Sequence, residues 1–143
     1  MRINDVLKAK PSHDVITIVP DATVRELVAL LAEHNVGALI VSADGAVVDG
    51  IVSERDVVRR LHDRADVLDA PVSEIMTSEV RTCEGDAALT ALMLVMTEHR
   101  IRHVPVLTDG KLTGIISIGY VVKNRIGELE FERDQLDSYV HQS

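Results

Sequence analysis

The chain has 143 residues, a length suited to one compact domain or two very small ones. Its formal net charge is −8 and only 2% of its residues are aromatic, which disfavours a nucleic-acid partner that needs a basic face or stacking platforms. Apolar runs stay well short of the roughly 20 residues of a membrane span, and the N-terminus lacks a signal-peptide pattern. The short apolar runs therefore predict no membrane association. Because a single cysteine excludes an intrachain disulfide, we expect a reducing cytoplasm.

The first half of the chain is predicted to fold as an extended segment, a helix, two strands and a second helix. In the first helix, Leu27 and Leu31 belong to an apolar set that recurs at i, i+3, i+4 and i+7. Thr23 and Glu26 are spaced to form a capping box at its start. An Asp-Gly pair at 44–45 is typical of a hairpin turn. The extended segment is expected at 15–19, the strands at 38–41 and 47–52, and the second helix at 54–63.

The second half repeats this order after a linker that contains Pro71. Its first helix carries the same apolar spacing in Leu89, Leu92, Met93 and Met96. We expect an extended segment at 80–83, strands at 104–107 and 112–116 around the Asp-Gly pair at 109–110, and a closing helix from Gly119 onward. The predicted organisation is a first repeat at 1–63, a linker at 64–71, a second repeat at 72–127 and a C-terminal helical extension at 128–143.

The two halves also align residue by residue. A shift of 65 positions places 33–36 (EHNV) on 98–101 (EHRI). After one deletion, 50–53 (GIVS) falls on 114–117 (GIIS). Chance does not readily preserve such an order over a whole half, so the chain is an internal repeat.

Ser53 and Asp56 form the strongest candidate site, at the end of a buried strand and in the first turn of a helix. A carboxylate accepts two hydrogen bonds from adjacent hydroxyls, such as those of ribose, and a helix N-terminus favours a phosphate. A purely structural interpretation stays open here, in which Ser53 caps the helix and Asp56 offsets its dipole.

The segment 50–56 (GIVSERD) resembles the ribose-binding motif of the CBS domain, Gly-h-x-Ser/Thr-x-x-Asp with h a hydrophobic residue, at every defined position. The segment 99–106 (HRIRHVPV) is similar to the start of that family's second strand. The resemblance covers about residues 5–127 and is to a tandem pair, or Bateman module, of the small stand-alone bacterial kind. It implies an α/β fold of two β-α-β-β-α repeats related by a pseudo-twofold axis, plus a C-terminal helix.

The resemblance also implies which further residues line the site. The adenine of a family ligand lies against the first strand's end and the second strand's start, which correspond here to Val15, Ile16, Thr17, Val36, Gly37 and Ala38. Arg55 within the motif, and Arg102 and His103 at the start of the second copy's strand, are the candidate phosphate ligands. Surface solvation of the arginines and a simple helix-ending turn at Gly37 are the structural alternatives.

The second copy departs from the family motif. It keeps Gly114 and Ser117 but has Tyr120 where the motif requires Asp, and a phenol cannot chelate a diol as a carboxylate does. We therefore expect one competent nucleotide site in each chain, built around Ser53 and Asp56. The second site is empty, blocked or holds a ligand differently.

The C-terminal helix carries a second signal. Its apolar residues are spaced alternately four and three positions apart, with Arg133 interrupting the pattern once, and the other faces of the helix are acidic. The residues of this apolar stripe are Val122, Ile126, Leu129, Leu136 and Val140. So polar a helix is marginal alone, and we expect the stripe to pack on a partner, with packing on its own chain as the alternative.

Histidine and cysteine do not point to further chemistry. His34 and His99 occupy equivalent positions at helix C-termini, where a cation is favourable, so we expect structural roles and no metal. Cys83 could pair with His99 or His103, but no third group that would orient such a pair is evident, which predicts a small buried thiol and no catalytic residue.

The predicted function is a regulatory adenosine-nucleotide sensor rather than an enzyme. The resemblance implies AMP first, then ADP, ATP or a dinucleotide, with no required cofactor, and a homodimer that acts through an effector protein of unknown identity. One alternative is a ligand-free structural or protein-interaction module that carries a relic of the ribose motif. A nucleotide hydrolase is the other, although the sequence shows no base, nucleophile or metal set for it.

Overall fold

The computed structural model describes residues 1–10 and 15–141. The helices and strands of the first half are α1 (Ile3–Lys8), β1 (Thr17–Ile18), α2 (Val24–His34), β2 (Ala38–Val41), β3 (Gly50–Ser53) and α3 (Glu54–Asp63). Two short 3-10 segments follow, at Ala65–Asp69 and Val72–Glu74. The second half contains β4 (Cys83–Glu84), α4 (Leu89–His99), β5 (His103–Thr108), β6 (Lys111–Ser117) and α5 (Ile118–His141).

Two three-stranded sheets have the same topology. In the first, β2 lies between β1, to which it is parallel, and β3, to which it is antiparallel. In the second, β5 lies in the same way between β4 and β6. Ala38 pairs with Ser53 and His103 with Ser117, so the registers correspond as well. The predicted α/β fold of two equivalent repeats and a C-terminal helix is confirmed.

The two Asp-Gly turns are not equivalent. Asp109 and Gly110 both have positive φ, 53° and 78°, as a two-residue hairpin turn of the primed type requires, and strand pairing continues up to the turn. In the first copy only Gly45 has positive φ, and Asp44 Oδ1 accepts hydrogen bonds from the backbone N–H of Ala46 (2.8 Å) and of Val47 (2.9 Å). Ser42 Oγ also donates to the carbonyl of Val47, so this local turn takes the place of regular strand pairing and the strand predicted at 47–52 begins only at Gly50.

The segment that begins each repeat packs in the core of the other one. α1, which was not predicted, buries Ile3 and Val6 completely among residues of the second repeat. Val72 and Ile75, at the start of the second repeat, lie in the core of the first. Matching backbone hydrogen bonds join Ile3 N to Ala87 O (3.0 Å) and Val72 N to Ala22 O (2.7 Å). Because each repeat inserts its first segment into the core of the other, the two repeats form one structure.

α5 continues without a break from the second repeat into the C-terminal extension. Within the described residues only Val121 of this helix is buried. The apolar stripe lies on the surface of the single chain: Leu129 is 48% exposed and Leu136 is 65% exposed. The last two predicted helical positions, 142–143, lie outside the described residues. None of the helices in the described ranges combines the length and apolar character that crossing a membrane requires.

Candidate functional site

The strand ends of both repeats meet at the centre of the molecule. β2 starts beside the end of β3, and the N–H of Glu54 donates to the carbonyl of Gly37 (3.0 Å). The equivalent bond in the second repeat joins the N–H of Ile118 to the carbonyl of Arg102 (2.8 Å). A Cβ atom at Gly37 would lie 3.6 Å from Cε1 of His103 and 3.7 Å from Oε1 of Glu54. The two strand starts are therefore in contact, with a cleft on each side.

The first of these, the Asp56 cleft, has a volume of about 580 Å³ and combines residues from both repeats. The first repeat contributes the motif itself and the start of β2, and the second contributes the segment that enters β5. The lining residues are Gly37, Ala38, Ile51, Ser53, Glu54, Arg55, Asp56, Val58, Thr77, Arg100, Ile101, Arg102 and His103. A ligand here would touch both halves of the chain.

Ser53 and Asp56 form a capping box at the start of α3. Asp56 Oδ2 accepts hydrogen bonds from the N–H (2.8 Å) and from the hydroxyl (3.1 Å) of Ser53. In return the N–H of Asp56 donates to Ser53 Oγ (3.3 Å). The structural role considered from the sequence is thus present. It uses one carboxylate oxygen only, because Oδ1 makes no hydrogen bond within residues 1–10 and 15–141.

The second repeat contributes basic residues to the Asp56 cleft. Arg100 and Arg102 are exposed and line the cleft, together with the half-buried His103. Burial lowers the pKa of His103 below its ordinary value of 6.5. The charge of Arg102 lowers this pKa further, whereas the carboxylate of Glu54 raises it. A nearby anion stabilises the imidazolium. Anion binding in this cleft would therefore raise the pKa of His103.

The second cleft, the Tyr120 cleft, has a volume of about 500 Å³ and a different chemistry. The ammonium group of Lys10 lies in it, donates to the carbonyl of Ile115 (3.0 Å) and stands 5.2 Å from the centre of the Tyr120 ring. Burial lowers the pKa of this ammonium group. Among the described residues that line the cleft there is no carboxylate. Tyr120 and Lys10 together give it no group that could chelate a diol.

The structure divides the predicted site residues between the two clefts. Those that share the Asp56 cleft are Gly37, Ala38, Ser53, Arg55, Asp56, Arg102 and His103, and of these Gly37, Ala38 and His103 also line the Tyr120 cleft. Ile16 and Val36 line the Tyr120 cleft and not the Asp56 cleft. Thr17 pairs with Ile40 in the sheet and belongs to neither set of lining residues in the described chain.

This division follows from the pseudo-twofold relation of the repeats. The Asp56 cleft contains the start of the central strand of both copies, so the motif lies beside the second copy's strand as well as its own. The sequence interpretation placed the base against Val15, Ile16, Thr17, Val36, Gly37 and Ala38 of the first copy, and of these Gly37 and Ala38 line the Asp56 cleft. Sequence reasoning also missed Arg100, Lys10 and Thr77 as lining residues. Arg100 aligns with Asn35 in the internal repeat, and that change of residue type was the available signal.

Other candidate groups have plain structural surroundings. Cys83 is half-buried, its Sγ lies 3.7 Å from the carbonyl of Pro105, and burial raises its pKa to about 11. A thiol with so high a pKa is a poor nucleophile at neutral pH. No cluster of three or more His, Cys, Asp or Glu side chains arranged for a metal occurs in the part of the chain that the structure describes.

Comparison with known proteins agrees with this architecture. The family model for the CBS domain matches residues 3–63 and 72–127. The CBS domain-containing protein YhcV of Bacillus subtilis is 30% identical over 137 residues, which cover 96% of each chain. The crystal structure of the CBS-domain-containing protein ATU1752 from Agrobacterium tumefaciens superposes with a TM-score of 0.82 at 42% identity, covering 87% of this chain and 99% of that one.

A further solved structure is that of the CBS domain protein PAE2072 from Pyrobaculum aerophilum, complexed with AMP. It is 30% identical, has a TM-score of 0.74, and covers 84% of this chain and 89% of its own. With two matched repeats, the same topology in both sheets and relatives of the same length, the chain belongs to the CBS-domain family as a small tandem CBS pair.

Proposed function

We propose that this CBS pair is a regulatory module that senses an adenosine nucleotide in the Asp56 cleft. AMP is the first ligand to consider, with ADP, ATP or a dinucleotide as related possibilities. In this proposal Asp56 binds the ribose hydroxyls, Ser53 holds the helix cap, and Gly37 and Ala38 lie beside the base. Arg55, Arg102 and His103 bind phosphate.

One observation carries the proposal: the carboxylate of Asp56 has one oxygen bound in the helix cap and one without a hydrogen bond in the described structure. Asp56 lines a cleft that also contains arginine and histidine side chains. A carboxylate suits adjacent hydroxyls and guanidinium groups suit phosphate, so the cleft matches the two ends of a nucleoside phosphate. The complex of the related PAE2072 with AMP supports the choice of ligand class.

Titration calorimetry with AMP tests the proposal through Asp56→Ala. Loss of a charged acceptor costs about 1.5–3 kcal/mol, or about tenfold to a hundredfold in affinity. Glu26→Ala is the matched control, because Glu26 holds the same capping position in α2 and lines neither cleft. Asp56→Ala removes two hydrogen bonds from Ser53 and Glu26→Ala removes one from Thr23, yet only Asp56→Ala should weaken AMP binding.

The same measurement separates the proposal from its alternative. Equal affinity in Asp56→Ala and in the unmodified protein would remove the ribose assignment. If no adenosine nucleotide binds the unmodified protein, the ligand-free interaction module becomes the better account. Mass spectrometry of nucleotides that copurify with the protein gives an independent result.

We also propose how the module passes on the signal of nucleotide binding. CBS pairs are generally regulatory modules rather than enzymes. We therefore assign no catalytic residue, and the signal would pass through a homodimer and an effector protein. The exposed apolar residues of α5 support self-association, since Leu129 is 48% and Leu136 65% exposed in the described single chain. A reducing cytoplasm remains the proposed location, because a chain with one cysteine has no intrachain disulfide that would need an oxidising compartment.

A further inference from the structure

Arg100 occupies a backbone conformation that arginine rarely adopts. It caps α4 with φ 53° and ψ 43°, in the left-handed region. The equivalent cap of α2 is Asn35, with φ 51° and ψ 49°. Asparagine tolerates this region well, whereas longer side chains are disfavoured there. The second repeat thus carries an arginine where the backbone alone would favour asparagine, and that arginine lines the Asp56 cleft.

Arg100 is one of three guanidinium groups in this cleft that have no partner among the described residues. The side chains of Arg55, Arg100 and Arg102 make no hydrogen bond or ion pair with any described residue, although the ion pairs found elsewhere in the described chain engage four other arginines. The carboxylates of Glu54 and Asp56 line the same cleft, and Oδ2 of Asp56 already accepts from Ser53. Three guanidinium groups against two carboxylates give the lining a net positive charge, which favours an anionic ligand.

We propose that Arg100 extends the phosphate site, so that the Asp56 cleft prefers a nucleoside di- or triphosphate to a monophosphate. This inference rests on the proposed nucleotide function and changes its order of ligands, placing ADP and ATP before AMP. One phosphate group is satisfied by one or two guanidinium forks. A third guanidinium, in a cleft of about 580 Å³, matches the charge of the additional phosphates.

The test is calorimetric titration with AMP, ADP and ATP, each in EDTA, at low and at high salt. The unmodified protein should bind ATP about tenfold or more tightly than AMP, the effect of one added charged hydrogen bond. Arg100→Asn should remove most of this difference, because the lost contact is made only to the outer phosphates. For the same reason it should change the AMP affinity by less than about threefold. Added salt should reduce the preference for ATP.

Two features keep the result interpretable. Asparagine suits the left-handed cap, so the melting temperature of the ligand-free Arg100→Asn protein should stay the same or rise. Arg59→Gln is the matched control, because it removes the same charge from the exposed surface of α3 and lies outside both clefts. It should leave all three affinities unchanged.

The outcomes are distinct. Equal binding of AMP and ATP by the unmodified protein, or an equal loss of both in Arg100→Asn, would overturn the role of Arg100 and leave the nucleotide site in place. Absence of binding by all three nucleotides would overturn the proposed function and this inference together. A preference for ATP that Arg100→Asn abolishes supports both.

Discussion

Ile3→Ala tests the exchange of leading segments between the two cores. Ile3 is 0% exposed and packs with the buried residues of the second repeat, far from it in sequence. The substitution removes three carbon atoms, worth about 0.8 kcal/mol each in transfer free energy, or roughly 2.4 kcal/mol in total. The cavity left behind raises the expected loss to about 2–5 kcal/mol. Since domains of this size have a free energy of unfolding of about 5–15 kcal/mol, the variant should fold but be clearly weakened.

Thermal unfolding followed by circular dichroism gives the measurement. For a chain of this size each kcal/mol corresponds to about 2–4 °C, so a loss of 3 kcal/mol lowers the melting temperature by roughly 6–12 °C. Val19→Ala is the control, because Val19 is also a β-branched aliphatic residue but is 48% exposed. A melting temperature for Ile3→Ala no lower than that of the control would refute the packing of α1 in the second core.

Two further predictions concern the second cleft and the C-terminal helix. Tyr120→Asp alone should leave the stoichiometry at one nucleotide per chain, because Lys10 would pair with the new carboxylate. Tyr120→Asp combined with Lys10→Met should raise the stoichiometry towards two. Calorimetry counts the sites, and two sites in the unmodified protein would contradict this interpretation of Tyr120. Deleting residues 127–143 should weaken self-association in sedimentation velocity, since it removes Leu129 and Leu136, whose burial contributes roughly 25 cal/mol per Å². An equally tight dimer after the deletion would show that the repeats alone form the interface.

Local patterns were sufficient to predict most helices and turns. The capping boxes at Thr23 and Ser53 specify where α2 and α3 begin, and α3 runs over the predicted residues 54–63. These signals work because the atoms concerned lie within one turn of helix. Strand limits were predicted less well: the strand expected at 47–52 begins at Gly50, since the side chain of Asp44 holds the preceding loop.

Residue patterns alone were sufficient to identify the internal repeat, the α/β character of each half and the match of Ser53 and Asp56 to the family motif. Packing between distant segments brings Asp56 into one cleft with the strand start of the other repeat and with Arg100, and places Ile16 in the second cleft. Motifs and caps are short-range, whereas the partner of each repeat depends on how apolar faces distant in sequence pack about the pseudo-twofold axis. α1 shows the same limit, because six residues carry too weak a periodic signal until a core from the other end of the chain covers them.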